Sequence, residues 1–211
     1  MQNLFMFPSQ RALFLREKGT NSYGVLTYYL SKIVVDVPLQ VVFPLLFSVI
    51  SYFMIGFQTN AGKFFIYAAA IILLTHSAVT MAVSISAAVG TFELALVAAP
   101  VIVLPLLVLG GFIIRTSSIP VYLIWLKYLS PFKYGFEILA INEFSGLSLT
   151  CLSSELVNGV CPITSGQQVI AQYLESSSSI WRGFVILGAL TIGWHIIAIL
   201  FLFLHSRKLK S

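Results

Sequence analysis

Trp125-Leu-Lys-Tyr-Leu-Ser-Pro-Phe-Lys-Tyr-Gly-Phe-Glu-Ile-Leu-Ala-Ile-Asn-Glu-Phe-Ser-Gly146 stands between long apolar stretches and mixes charge with aromatic rings. Lys127, Lys133, Glu137 and Glu143 are set among Trp125, Tyr128, Phe132, Tyr134, Phe136 and Phe144. Trp125, Tyr128, Leu129, Phe132, Phe136, Leu139, Ala140 and Phe144 recur at helical spacing and form one apolar stripe, with the polar residues largely off it. Four charges make the segment too polar to span a bilayer. Aromatic rings and snorkelling lysines suit the headgroup zone, so the spacing predicts an amphipathic helix that lies at a membrane surface or dips into it. An ordinary amphipathic helix in a loop has the same composition, and the surroundings must decide between the two.

Those surroundings are apolar. The 211 residues are 58% hydrophobic and only 9% charged, with a mean hydropathy of +0.96. A water-soluble domain carries about 25% charged residues; so few cannot cover a globule in water. The composition selects an all-α, polytopic transmembrane bundle. Four complete spans are predicted, at residues 33–57, 64–89, 94–114 and 181–204. Each is long enough, at about 1.5 Å per residue, for a hydrocarbon core of about 30 Å. Residues 1–32 form an amphipathic region before them, and 115–180 is one long region that holds the quoted segment and then a loop. Pro38 and Pro44 predict kinks in the first span. Ala68 to Ala70, Ser77, Ala78, Ser84, Ser86, Ala87 and Ala88 allow the second to pack closely against neighbours. Pro100, Pro105 and Gly110-Gly111 make the third bendable, or broken near its far end. Lys32 and Asp36 sit one turn apart and can pair.

Four spans put both termini on one side. Arg11, Arg16, Lys18, Lys32, Arg207, Lys208 and Lys210 lie in the terminal segments, close to span ends, which predicts cytoplasmic termini and reads the net charge of +5 as a topology signal. Residues 115–180 then face an oxidising space. There Cys151 and Cys161 can close a small disulfide loop or stay as two free thiols.

Catalytic signatures are missing from the sequence. It contains no Gly-x-x-x-x-Gly-Lys-Ser/Thr phosphate loop, so this chain is not expected to hydrolyse ATP. No basic cluster with interleaved aromatics points to nucleic acid. His76, His195 and His205 lie in different elements, and no His pair has metal-site spacing, so no metal site is predicted. His76 and His195 fall within spans, where an ionisable group is a functional candidate by default. Each stands alone in its span, which favours a neutral histidine hydrogen-bonded to a neighbouring helix. On the third span Val97, Val101, Leu104 and Val108, broadened by Pro100 and Leu107, make a face without a polar group. Such a face simply meets lipid or another helix, or it lines a cavity suited to an apolar or amphipathic molecule.

Two blocks resemble the membrane domain of the G subfamily of ABC transporters, the White and breast-cancer-resistance type of half-transporter. The first is Arg-Ala-Leu-Phe-Leu-Arg-Glu-Lys at 11–18, continued by Tyr-Tyr-Leu-Ser-Lys-Ile-Val-Val-Asp-Val-Pro at 28–38 and Tyr-Phe-Met-Ile-Gly-Phe at 52–57. The second is Trp-Leu-x-Tyr-x-Ser-Pro-x-x-Tyr-Gly-Phe followed by Asn-Glu-Phe-x-Gly, within 125–146. The resemblance covers essentially the whole chain. It implies ATP-driven export of lipids, sterols or other hydrophobic compounds by a homo- or heterodimer in the plasma membrane or an internal one. ATP and Mg would sit in a nucleotide-binding domain outside this sequence, and this chain would bind no cofactor. Arg11, Arg16, Glu17 and Lys18 match the element that couples to that domain. Pro100, Val101, Leu104 and Leu107 match the cavity-lining helix, and Phe112-Ile113 matches a hydrophobic plug, commonly a leucine pair. Tyr134, Gly135, Glu137, Asn142 and Glu143 fall in the re-entrant helices, where Lys133 and Glu137 can pair. Cys151 and Cys161 match the stapled outer loop. The ATP-binding domain, the first membrane helix and nearly all of the second have no counterpart in these residues, so the resemblance implies the C-terminal part of such a protein, with Met1 to Phe7 matching the end of the second helix. The rival expectation is a non-transporting membrane subunit that binds or regulates a full-length partner.

Overall fold

The structure, a computed structural model, describes residues 25–89, 92–111, 120–151, 161–174 and 179–208. The expected coupling residues Arg11, Arg16, Glu17 and Lys18 and the expected plug Phe112-Ile113 lie outside the described residues. Those described form α1 (Val25–Ile55), α2 (Ala61–Val89), α3 (Phe92–Val108), a 3-10 turn (Val121–Leu123), α4 (Ile124–Leu129), α5 (Pro131–Phe144), α6 (Gly166–Tyr173) and α7 (Ile180–Lys208). The architecture is an all-α membrane bundle.

Three of these helices, over Tyr29–Ile55, Ala61–Val89 and Ile180–Leu204, are long and apolar enough to cross a membrane. The third expected span differs. The expected bounds are 94–114, but α3 ends at Val108 and has 17 residues, about 26 Å of rise against a core of about 30 Å. The last turn tightens, with Gly110 N–H donating to Leu107 O at 3.1 Å, and Gly111 then takes φ 91°, a left-handed conformation that glycine adopts without penalty. α1, by contrast, starts earlier than residue 33 and is one continuous helical element through Pro38 and Pro44.

α2 is the centre of the bundle. Lipid is as apolar as leucine, so helices in a membrane are held by close approach and by hydrogen bonds between them. α2 supplies both. Its small residues Ala68, Ala70, Ser77, Ser84, Ser86 and Ala87 are buried, and Ser84 Oγ reaches Trp194 O on α7 at 2.7 Å. Near one end Ser51 Oγ of α1 and Tyr67 Oη of α2 lie 2.9 Å apart. Three apolar clusters radiate from α2. Val83 and Ala87 meet Tyr29 of α1 with Ala198 and Leu202 of α7. Ala70 meets Tyr134 and Ile138 of α5 with Leu187 of α7. Met81 and Ile85 meet Ala99 and Leu106 of α3.

The segment at 125–146 is two helices, not one. Pro131 has no N–H to donate and occupies the first turn of α5, where none is needed. The residue before a proline is driven out of the helical region, and Ser130 is extended at φ −79°, ψ 117°. Its hydroxyl donates to Leu106 O at 2.7 Å and pins the break to α3. The polar residues also point the other way from an interfacial helix. Lys127, Lys133, Glu137 and Asn142 are buried, whereas Trp125 and Tyr128 are exposed. In a membrane the outside is lipid and the protein interior holds the polar partners, so a dipping helix turns its charges inward.

Candidate functional site

α3 is two-sided. Ala95, Ala99 and Leu106 are buried against the bundle, while Val97, Val101 and Leu104 are 66%, 65% and 57% exposed. Pro100 is exposed beside them and Leu107 is half-buried. The described residues therefore leave a continuous apolar wall uncovered, with no polar side chain on it. Pro100, Val101 and Leu104 come together on that wall, and Leu107 lies at its edge.

Around α5 the expected residues have separate partners. The Lys133 ammonium lies 3.5 Å from the Glu137 carboxylate and 4.5 Å from the centre of the Tyr128 ring. Tyr134 donates its hydroxyl to Tyr128 O across the break at 3.2 Å. Gly135 lets α5 approach α2 closely, since a Cβ there would lie 2.7 Å from Leu74 Cδ2. At the C-terminal end of α5 a clamp joins the α1–α2 turn. Gln58 N–H donates to Glu143 Oε1 at 3.1 Å, and Gln58 Nε2 donates to Glu143 O. Asn142 Nδ2 donates to Lys63 O at 3.0 Å, and the Lys63 ammonium donates to Ser145 O at 2.6 Å. Gln58 and Lys63 had no assigned role in the sequence.

The two intramembrane histidines are not alone. His76 of α2 and His195 of α7 lie Nε2 to Nε2 at 3.3 Å. The outer ring nitrogen of each is held by α1. Tyr29 Oη is 2.8 Å from His195 Nδ1, and Gln40 Oε1 accepts from His76 Nδ1. Thr80 Oγ1 donates to His76 O at 2.7 Å. A small cavity beside them is also lined by Lys32 and Asp36, which pair at 3.6 Å. Among the described residues no three His, Cys, Asp or Glu side chains converge as a metal-binding group.

Past α5 the chain folds back on itself. Leu149 N–H donates to Thr164 O at 3.0 Å and Gly166 N–H to Leu147 O at 2.8 Å. Cys151 and Cys161 are joined by a disulfide, Cα to Cα 5.8 Å. Closing a loop of this length removes about 3 kcal/mol of unfolded-chain entropy in the chain-entropy account. Cys151→Ser with Cys161→Ser is thus expected to raise amide exchange across 147–151 and 161–166 by up to about 100-fold and to leave α2 and α7 protected. Uniform loss of protection in the helices would show a wider role.

The family model of the ABC-2 type transporters matches residues 1–144. Protein white of Drosophila melanogaster is 33% identical over 98% of this chain and 31% of its own length. ABC transporter G family member 1 of Dictyostelium discoideum is 29% identical over 99% of this chain and 27% of its own length. The ABC transporter ATP-binding protein/permease wht-1 of Caenorhabditis elegans is 30% identical over 97% of this chain and 31% of its own length. The chain thus spans about a third or less of the length of these relatives. With its all-α bundle and long apolar helices, it is an integral membrane protein that belongs to the ABC-2 type transporter family, homologous to the membrane domain of the G-family members.

Proposed function

We propose that this chain forms part of the translocation path of an ATP-driven exporter of hydrophobic or amphipathic molecules, lipids or sterols among them. The observation that carries the reading is the two-sided α3, whose uncovered wall of Val97, Val101 and Leu104 offers no polar group. Such a wall gains by excluding water from an apolar body and cannot replace the hydration shell of an ion. The chain supplies the path and no ATPase group. ATP and Mg bind a nucleotide-binding domain elsewhere in the polypeptide or on a partner, as the name of the Caenorhabditis relative pairs an ATP-binding protein with a permease. Pairing with a second half, identical or not, completes the cavity. Both termini are cytoplasmic, in line with the basic residues at the ends of the chain.

The test is transport by the assembled protein. In proteoliposomes carrying this domain with its nucleotide-binding domain, Val101→Trp and Leu104→Trp are expected to lower ATP-dependent efflux of a fluorescent lipid about 10-fold or more, a loss of about 1.4 kcal/mol of transition-state stabilisation. Val34→Trp, on an exposed face of α1, is expected to leave efflux within 2-fold. Equal loss in all three variants would remove α3 from the path. Stable association with a full-length partner but no efflux in the unsubstituted protein would favour the regulatory subunit instead.

A further inference from the structure

The contacts of His76 and His195 suit one arrangement of their protons, with Thr80 Oγ1 also 3.5 Å from His195 Nε2. Gln40 Oε1 only accepts, so His76 carries its proton on Nδ1 and turns the Nε2 lone pair towards His195. His195 donates from Nε2 to that lone pair, and its Nδ1 accepts from the Tyr29 hydroxyl. The Nε2–Nε2 separation of 3.3 Å is long for a hydrogen bond, whose usual range for an N–H donor is about 2.7–3.2 Å. It also matches the edge of a tetrahedral site. Two nitrogens about 2.0–2.1 Å from one ion, set 3.3 Å apart, subtend an angle of about 107°. Only the proton on His195 must move to free both Nε2 lone pairs for an ion. Shifted from Nε2 to Nδ1, it is accepted by Tyr29 Oη. The proton count of the pair does not change.

The supports match this role. A histidine that ligates a metal nearly always donates its other N–H to an oxygen, which fixes the ring and its tautomer. Here Gln40 and Tyr29, both on α1, stand at the two outer nitrogens. The adjoining cavity has a volume of about 20 Å³, and one water needs about 10–15 Å³, so there is room for the ion's remaining ligand. Asp36 lines the same cavity, where its carboxylate is paired with the Lys32 ammonium at 3.6 Å, so the two imidazoles are the site's protein ligands.

We propose that His76 Nε2 and His195 Nε2 form an open, two-imidazole site for a divalent transition-metal ion of the zinc, cobalt or copper class, linking α2 to α7 within the membrane. Imidazole suits these ions, whereas magnesium and calcium require oxygen shells. With two protein ligands the site exchanges its ion and does not bury it permanently.

The experiment uses the full chain, purified in detergent, stripped with a chelator and titrated with Co²⁺ near neutral pH. One Co²⁺ per chain with the intense visible absorption of tetrahedral coordination is expected. His76→Asn and His195→Asn should abolish that absorption. Gln40→Leu and Tyr29→Phe, which remove positioning contacts only, should weaken binding about 10–100-fold. His205→Asn should change nothing. A second measurement needs no variant that could misfold: the Cu²⁺ electron-spin-resonance spectrum of the unsubstituted chain should show coupling to two imidazole nitrogens. Absence of stoichiometric uptake, an octahedral Co²⁺ spectrum, or absorption retained in His76→Asn would overturn the proposal.

Discussion

Glu137→Ala is expected to cost the folded domain about 3–5 kcal/mol, because it removes the carboxylate that pairs with a buried ammonium. The Lys133 and Glu137 side chains are only 4% and 9% exposed. The ammonium also lies 4.5 Å from the Tyr128 ring and 5.3 Å from the Tyr134 ring, but a cation–π contact returns about 2 kcal/mol, less than the loss. The pair as a whole contributes little net stability, since its attraction mainly offsets the desolvation of both groups. Lys133→Met with Glu137→Met should accordingly recover most of what Glu137→Ala loses. Denaturant unfolding in micelles, read by tryptophan fluorescence, measures each value, and Lys133→Met and Glu137→Met alone complete the double-mutant cycle. A single variant within about 1 kcal/mol of the parent would show that the pair is solvated. A double variant as unstable as the single would show that the two charges act through other partners.

Gly183→Ala is expected to be the most damaging change of a single methyl group in α7. A Cβ at Gly183 would stand 2.5 Å from Ile138 Cγ1 and 3.1 Å from its Cδ1. Ile138 is completely buried and is β-branched, so its χ1 has little freedom to swing away. Overpacking of this kind costs about 1–3 kcal/mol, and relief requires α5 to move off α7. Gly188, one and a half turns further along α7, has open space where a Cβ would go, so Gly188→Ala should be neutral or slightly stabilising. Combining Gly183→Ala with Ile138→Ala should restore part of the melting temperature. If Gly183→Ala and Gly188→Ala melt alike, the α5–α7 contact is looser than its geometry.

Much of this architecture is legible in the residues. Long apolar runs reveal α1, α2 and α7, because length and hydropathy alone set a span. The alanines and serines of α2 foretell its central place, since small side chains are what allow membrane helices to approach. The end of α3 and the break at Ser130-Pro131 are written less plainly. Proline and glycine permit a break without fixing where it falls, and Pro38 and Pro44 lie within one unbroken helical element while Pro131 starts a new one. The inward turn of Lys133 and Glu137 depends on which side of the helix meets lipid, which periodicity cannot tell. For the histidines a signal existed: Tyr29, Lys32, Asp36 and Gln40 are spaced three and four residues apart and form a polar stripe on an apolar helix, and His76 and Thr80 share a face of α2. What no pattern supplies is the pairing of His76 with His195, 119 residues away. On the wall of α3 the face is legible, but what covers it lies beyond any single helix.

The clamp between the α1–α2 turn and the end of α5 bears on how such proteins diverge. Loops are usually where a chain accepts inserted residues. Here three of the four acceptors are the backbone carbonyls of Lys63, Glu143 and Ser145, which no substitution removes. Ser145 can therefore change its side chain while its bond persists, whereas Lys63 and Glu143 also serve the clamp through their side chains. The number of residues from Gly56 to Asn60 cannot change, because one more would carry Gln58 and Lys63 out of register with α5. Selection at this corner should act on length before it acts on composition, so that insertions accumulate in other connections and this turn keeps its count.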